Sequence, residues 1–88
     1  MNIKRLFAEL DKEEKALDAL DALFEMRPED TQIEKAWDDQ YKKVFGITEK
    51  LVNAVVTFTA GMMDKTTARA IIQGKRAEFR SLLARWAA

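Results

Sequence analysis

Helix-breaking residues are scarce in this chain, and their scarcity limits the folds open to it. The 88 residues contain one proline, Pro28, and three glycines, Gly46, Gly61 and Gly74. Folds built from many short strands need turn-forming residues much more often than this. The sequence therefore predicts an all-α protein made of a few long helices.

The first segment has the apolar pattern of an amphipathic helix. From Ile3 to Phe24 its apolar residues recur at spacings of three, four and seven, which gives the helix heptad character. Glu13 is the only charged residue on this apolar seam. Pro28 should end the helix, because the residue before a proline disfavours helical geometry. We expect a first helix over approximately residues 2–26.

The second segment begins with a helix-start signal. Thr31 followed by Glu34 fits a capping box, in which each side chain bonds a free backbone N–H of the other. From Trp37 onwards apolar residues alternate spacings of four and three, and the pattern crosses Gly46 in phase. A glycine inside a helix costs about 1 kcal/mol relative to alanine, so a kink or break there stays open. The predicted helix covers residues 31–61.

The third segment completes a three-helix arrangement. Gly61 is expected to close the second helix, and Asp64 is a favourable N-cap for the next one. A third helix is predicted over residues 65–87. With short connections, the three form an antiparallel, up-down-up bundle of long helices in one domain, residues 1–88.

Helix lengths raise the question of self-association. At 1.5 Å per residue, the second helix would be roughly 45 Å long and the other two roughly 35 Å. The apolar stripe of the second helix is also wide near the end of that helix, which suits contact with more than one neighbouring helix. We favour a homodimer over the alternative, a central helix covered by its own chain. The predicted interface residues are Leu51, Val52, Val55, Val56 and Phe58.

A row of small residues on the predicted third helix suggests a second contact surface. Small side chains at spacings of three and four let another helix approach closely. The alternative is solvent-facing alanine, selected for helix propensity. We favour the interface, because an interior glycine is unfavourable without a packing reason. The residues concerned are Ala70, Gly74, Ala77, Ser81 and Ala84.

Charge is unevenly distributed along the chain, although the total is zero. Residues 1–45 have a net charge of −4 and residues 65–88 of +5. Carboxylates at helical spacing form an acidic stripe on the first helix, made of Asp11, Glu14, Asp18, Asp21 and Glu25. A basic stripe on the third helix is made of Lys65, Arg69, Arg76 and Arg80. The favoured interpretation is that the stripes face each other within the bundle or across a dimer.

Contact with a phosphate backbone is the alternative use of the basic stripe. Residues 56–71 resemble a helix-turn-helix, with Gly61 at the turn glycine, and depart from it at Thr57 and Thr67. The resemblance implies a nucleic-acid-binding regulator. The candidate contacts are Lys65, Thr66, Arg69, Arg76 and Arg80. The chain has a sequence pI near 6.3, which is lower than the basic value expected of a DNA-binding domain.

Residue types missing from the chain exclude several kinds of chemistry. Without histidine or cysteine there is no zinc finger, thiolate site or His-dependent nucleophile. The longest uncharged stretch has thirteen residues, against about 20 for a membrane span. We therefore expect a cytoplasmic, non-enzymatic helical interaction or scaffold protein without cofactor or metal. Its expected partner is a second copy, with another protein as an alternative and nucleic acid less favoured.

Overall fold

α-Helices are the only regular secondary structure in the part of the chain that the structure describes. The computed structural model describes residues 3–87, with the backbone alone for residues 82–84, 86 and 87. Its helices are α1 (Ile3–Met26), α2 (Thr31–Phe58), α3 (Lys65–Gly74) and α4 (Arg76–Ala87). The prediction of an all-α protein is confirmed. The predicted helix start at Asn2 lies outside the described residues.

Aspartates mark the beginnings of α2 and α3. The Asp30 carboxylate accepts hydrogen bonds from the backbone N–H groups of Gln32 at 2.9 Å and Ile33 at 3.3 Å. The N-cap of α2 is therefore Asp30 and Thr31 is the first helical residue, so the capping box predicted for Thr31 and Glu34 is wrong. Asp64 accepts from the Thr67 N–H at 2.7 Å, as the sequence predicted, and this bond lowers the pKa of the Asp64 carboxyl.

The second helix ends three residues before the predicted position. Ala60 and Gly61 both have positive φ, 54° and 80°, which stops the helix after Phe58. The Ala60 N–H donates to the Thr57 carbonyl and the Gly61 N–H to the Val56 carbonyl, at 3.0 and 2.9 Å. These two bonds form a Schellman motif, which satisfies carbonyls that the last turn leaves free. Gly61 thus belongs to the cap and not to the helix.

Gly46 does not break the second helix. α2 runs through it without interruption for 28 residues. No atom outside its own helix lies within 4 Å of the position that a Cβ would take, so the glycine serves no close approach.

The predicted third helix is divided in two, which corrects the three-helix arrangement. Lys75 adopts φ −131° and ψ 41°, and Gly74 is the last residue of α3. Before this break the arm packs on α2; after it, the Phe79 ring meets the Phe7 ring of α1 at 6.5 Å. The break therefore lets one basic segment contact both long helices. We call residues 65–87 the α3–α4 arm.

The core occupies one end of an elongated molecule that measures 46 × 21 × 19 Å. The four-residue connection 27–30 joins α1 and α2 as an antiparallel hairpin. The arm covers the end of this hairpin that lies away from the connection. The buried apolar residues all belong to that end: Phe7, Leu10, Val44, Ile47, Leu51, Val52, Ala54, Val55, Ala68, Ile72 and Phe79.

Three of the five interface residues predicted on the second helix are buried within the chain itself. Leu51, Val52 and Val55 pack in the core with side chains of α1 and the arm, and have no exposed surface to offer a second copy. Val56 is half-buried and Phe58 is 45% exposed. The wide apolar stripe near the end of α2 was expected to need cover from a second copy, but the uncovered apolar residues lie at the opposite end of α2. The reason is that the arm folds back over the wide apolar stripe.

Two leucine-to-alanine substitutions on α1 should lower stability by different amounts, because one leucine lies at the covered end of the hairpin and the other at the uncovered end. Leu10 is 0% exposed and Leu23 is 45% exposed. Leu10→Ala leaves a cavity and should lower the free energy of unfolding by about 2–5 kcal/mol. Leu23→Ala makes the same chemical change with a loss of about 0.5 kcal/mol or less. Urea unfolding followed by circular dichroism measures both, and similar losses would contradict this placement of the core.

Candidate interaction surface

The end of the hairpin near its connection has no buried side chain. Every residue from 11 to 43 is exposed or only partly buried. The arm reaches this part of the hairpin only at Asp11 and Glu14, and beyond Glu14 no described part of the chain packs over the two helices, so their facing apolar residues are covered on one side only. We call residues 11–43 the distal hairpin.

A groove between the two helices of the distal hairpin exposes aromatic surface. It has a volume of about 520 Å³ and is lined by Asp21, Phe24, Thr31, Glu34, Lys35, Trp37 and Asp38. The Trp37 and Tyr41 rings are stacked, with their centroids 5.4 Å apart. Phe45 follows Tyr41 at a spacing of four and is 53% exposed. We call the groove, together with the exposed rings of Tyr41 and of Phe45 just past the distal hairpin, the aromatic groove.

The rims of the aromatic groove are mainly acidic. On the α1 side, Asp18, Asp21 and Glu25 continue the acidic stripe, and none has an ion-pair partner among the residues that the structure describes. On the α2 side Asp38 is paired with Lys42 at 3.3 Å. This surface therefore combines apolar rings with uncompensated negative charge.

The other end of the acidic stripe is occupied by the chain's own arm. The Arg76 guanidinium donates to both Glu14 carboxylate oxygens, at 2.5 and 2.6 Å, and to Asp11 at 3.4 Å. The hydrogen bond to Glu14 raises the pKa of Arg76. Arg80 donates to Asp11 at 2.6 Å and lies 5.6 Å from the centre of the Phe7 ring. The two stripes thus meet within one chain over part of their length, at Asp11 and Glu14, as the favoured interpretation of the charge pattern expected.

The candidate nucleic-acid contacts are divided by this geometry. Arg69 donates to both oxygens of Glu49 at 2.9 Å, and Arg76 and Arg80 are paired with α1. Lys65 and Thr66 are exposed at the start of α3. The connection before them, residues 59–64, is longer than the usual three or four residues of a helix-turn-helix. Three of the five cations and hydroxyls proposed for phosphate therefore already have carboxylate partners.

The small-residue row is exposed but not continuous. Ala70 and Gly74 lie on α3, Ala77 and Ser81 lie on α4, and all four are exposed. Because Lys75 separates the two helices, the row was wrongly assumed to follow one straight helix. The last predicted member, Ala84, is outside the described side chains. Gly74 is the last residue of α3, and its part in an interface stays a prediction.

Glu13 lies where the covered and uncovered parts of the hairpin join. Gln40 donates to its carboxylate at 2.7 Å and to its backbone carbonyl at 2.9 Å, and the Lys43 ammonium is 3.6 Å away. Its side chain is 13% exposed. The hydrogen bond from Gln40, more than the charge of Lys43, lowers the pKa of the Glu13 carboxyl. The one charged residue on the seam is therefore a polar cross-link between α1 and α2.

Sequence reasoning placed the aromatic residues of the groove on apolar seams and so treated them as core or interface anchors in general. It did not identify Phe24, Trp37, Tyr41 and Phe45 as one partly exposed surface. From the sequence, only the length of the second helix was compared with the other two, and the uncovered apolar surface was expected near the end of that helix. The position of that surface depends on the break at Lys75, which the sequence pattern did not predict.

Comparisons with protein families, with curated proteins and with solved structures found no match to this chain. Among residues 3–87, no helix combines the length and apolar composition that a membrane crossing requires. The same described residues hold no group of three or more side chains able to bind a metal ion together. The candidate site therefore depends on the geometry of the distal hairpin alone.

Removing the Glu13 carboxylate should change how stability depends on pH. A lowered pKa in the folded state stabilises the fold above the group's ordinary value of 4.5, and this stabilisation is lost as the pH falls through the folded-state pKa. Glu13→Gln should therefore be less stable than the parent at neutral pH, with the difference shrinking below pH 4.5. Urea unfolding across this range measures it. Glu9→Gln, at an exposed position of the same helix, is the control for the chemical change itself, and a difference between parent and Glu13→Gln that stays constant over the pH range would contradict the prediction.

Removing the Arg76 guanidinium should loosen the arm. Arg76→Gln loses the bonds to Glu14 and Asp11, and we expect the protein to lose about 1–2 kcal/mol of stability. Hydrogen exchange should speed up in α4 more than in α2, because only the contact of the arm with α1 depends on this side chain. Arg85→Gln is the matched control, since Arg85 is exposed on the same helix. Equal protection of α4 in both variants would contradict a tethering role for Arg76.

Proposed function

We propose that this protein is a small non-enzymatic interaction or scaffold protein and that its binding surface is the aromatic groove of the distal hairpin. The observation that carries the proposal is the contrast between the two ends of one hairpin. One end has a core covered by the arm, and the other has no buried side chain over residues 11–43. A surface of that kind gains stability when a further element covers it.

The residue types in the groove suit protein recognition. Tryptophan and tyrosine contribute large contact areas at a small loss of side-chain freedom and are common among the residues that dominate binding energy. Trp37 and Tyr41 are held together by stacking, so this part of the surface is arranged before a partner arrives. Exposed Phe45 extends it by another turn.

A homodimer remains within this proposal, but a different surface now supports it. The sequence argued for a dimer from the wide apolar stripe on α2 and from the small-residue row. The chain itself covers much of the apolar stripe, and the small-residue row is divided at Lys75. The distal hairpin is now the surface on which either a second copy or another protein would bind. The nucleic-acid alternative and the cytoplasmic location stay predictions.

Site-specific photo-crosslinking tests the proposal in the cells that make the protein. A photoreactive benzoylphenylalanine replaces Phe45 in the groove or, as a control, exposed Ala19 on the outer side of α1. We expect a defined adduct from position 45 that is absent from position 19. Mass spectrometry of the adduct separates a second copy of this chain from another protein.

The proposal fails if position 45 gives no more adduct than position 19 in cells where the full-length variant is folded. Circular dichroism of the purified variant provides the check on folding. An adduct at both positions would also contradict it, because contact would then not be selective for the groove.

A further inference from the structure

We propose that the aromatic groove binds a basic amphipathic helix of a partner protein, seated beside the acidic stripe as the chain's own arm is seated further along. This inference rests on the proposed function and adds the chemistry of the partner. The arm supplies an example of the binding mode within the same molecule, since it is itself basic and covers part of the same hairpin.

The arm uses two kinds of contact on the hairpin. Its apolar face contributes Ala68, Ile72 and Phe79 to the core. Beside that face, Arg76 and Arg80 bind the carboxylates of Asp11 and Glu14. An apolar face flanked by arginines is therefore the chemistry that this hairpin accepts where it is covered.

The same combination continues along the hairpin beyond Glu14, where the contacts of the arm with the acidic stripe stop. Asp18, Asp21 and Glu25 extend the acidic stripe at spacings of three and four. Asp21 lines the aromatic groove together with Phe24 and Trp37. Because these carboxylates have no basic partner among the described residues, a helix bringing lysines or arginines would compensate them.

The opposite rim favours the same type of partner. Glu34 and Asp38 line the α2 side, with Lys35 as the basic residue in the lining and Lys42 paired with Asp38. Carboxylates thus lie on both sides of the aromatic floor. A third helix packed in the groove between two antiparallel helices would bury its apolar face on Trp37 and place flanking cations over both rims.

A second copy of this chain fits the charges less well. Two-fold symmetry brings the same face of both protomers together. In such a dimer, acidic rims would oppose acidic rims, and like charges at an interface act against association. Charge complementarity therefore favours a different, basic chain as the occupant.

The test uses designed helical peptides and the full-length protein labelled with ¹⁵N. The probe is a peptide of about 18 residues, about 27 Å long as a helix, with leucines at spacings of three and four and arginines on both flanks. The control peptide has glutamate in place of each arginine. We expect the basic peptide to bind at least about tenfold more tightly at ~50 mM salt and to lose affinity as salt rises. Amide shifts should concentrate in residues 17–25 and 34–45.

Two pairs of variants sharpen the result. Asp18→Asn, Asp21→Asn and Glu25→Gln together should weaken binding about tenfold, since each exposed ion pair contributes a few-fold. The matched control removes the same charge elsewhere through Glu9→Gln, Asp39→Asn and Glu78→Gln, all exposed positions. Tyr41→Ala should also weaken binding, whereas Met62→Ala, at another exposed apolar residue, should not.

Several outcomes would overturn the inference. Equal binding of both peptides would mean that the groove has no preference for cations. Shifts confined to residues 65–81 would mean that the peptide disturbs the arm instead of filling the groove. If neither peptide binds and light scattering gives twice the 10.1 kDa chain mass, lost in Tyr41→Ala, the occupant is a second copy. These results leave the proposed function to be judged separately by the adduct at Phe45.

Discussion

Two helices packed side by side cannot enclose the apolar residues that face the gap between them, and this limit organises the whole molecule. A third layer is needed, and the chain supplies it only over the end formed by Phe7, Leu10 and the second half of α2. There the side chains are fully buried. Beyond Glu14 the same two helices continue with no described part of the chain over them, so their aromatic residues stay at least partly exposed. The core and the candidate site are thus the covered and the uncovered parts of the same hairpin.

Ion pairs set the orientation of the helices that burial of apolar side chains brings together. The bidentate contact of Arg76 with Glu14 and the contact of Arg80 with Asp11 hold the arm against α1, while Arg69 and Glu49 join it to α2. Such partly exposed pairs add modest stability, and their larger effect is to select one orientation of the arm. Glu13 and Gln40 do the same for the register of the hairpin. The carboxylates of the acidic stripe that the arm does not reach could orient an external partner in the same way.

Local features of the fold were predictable because they depend on neighbouring residues. The bounds of α1, the cap at Asp64 and the continuity of the pattern across Gly46 all follow from spacing and capping chemistry. The break at Lys75 was not predictable from periodicity, since Ala68, Ile72 and Phe79 keep one phase across it. The aromatic groove was only half predictable. Its residues lie on recognised seams, but their exposure depends on where the arm ends.

The sequence by itself determined the helical class, the hairpin turn at Pro28, and the separation of acidic and basic stripes. These properties are set by side chains acting on their own turn of helix or on the next one. Only the tertiary structure decided which end of the hairpin is covered, which arginines are already paired, and therefore which apolar surface is left for a partner. Those outcomes depend on contacts between residues more than sixty positions apart, such as Arg76 with Glu14, and no local pattern specifies them.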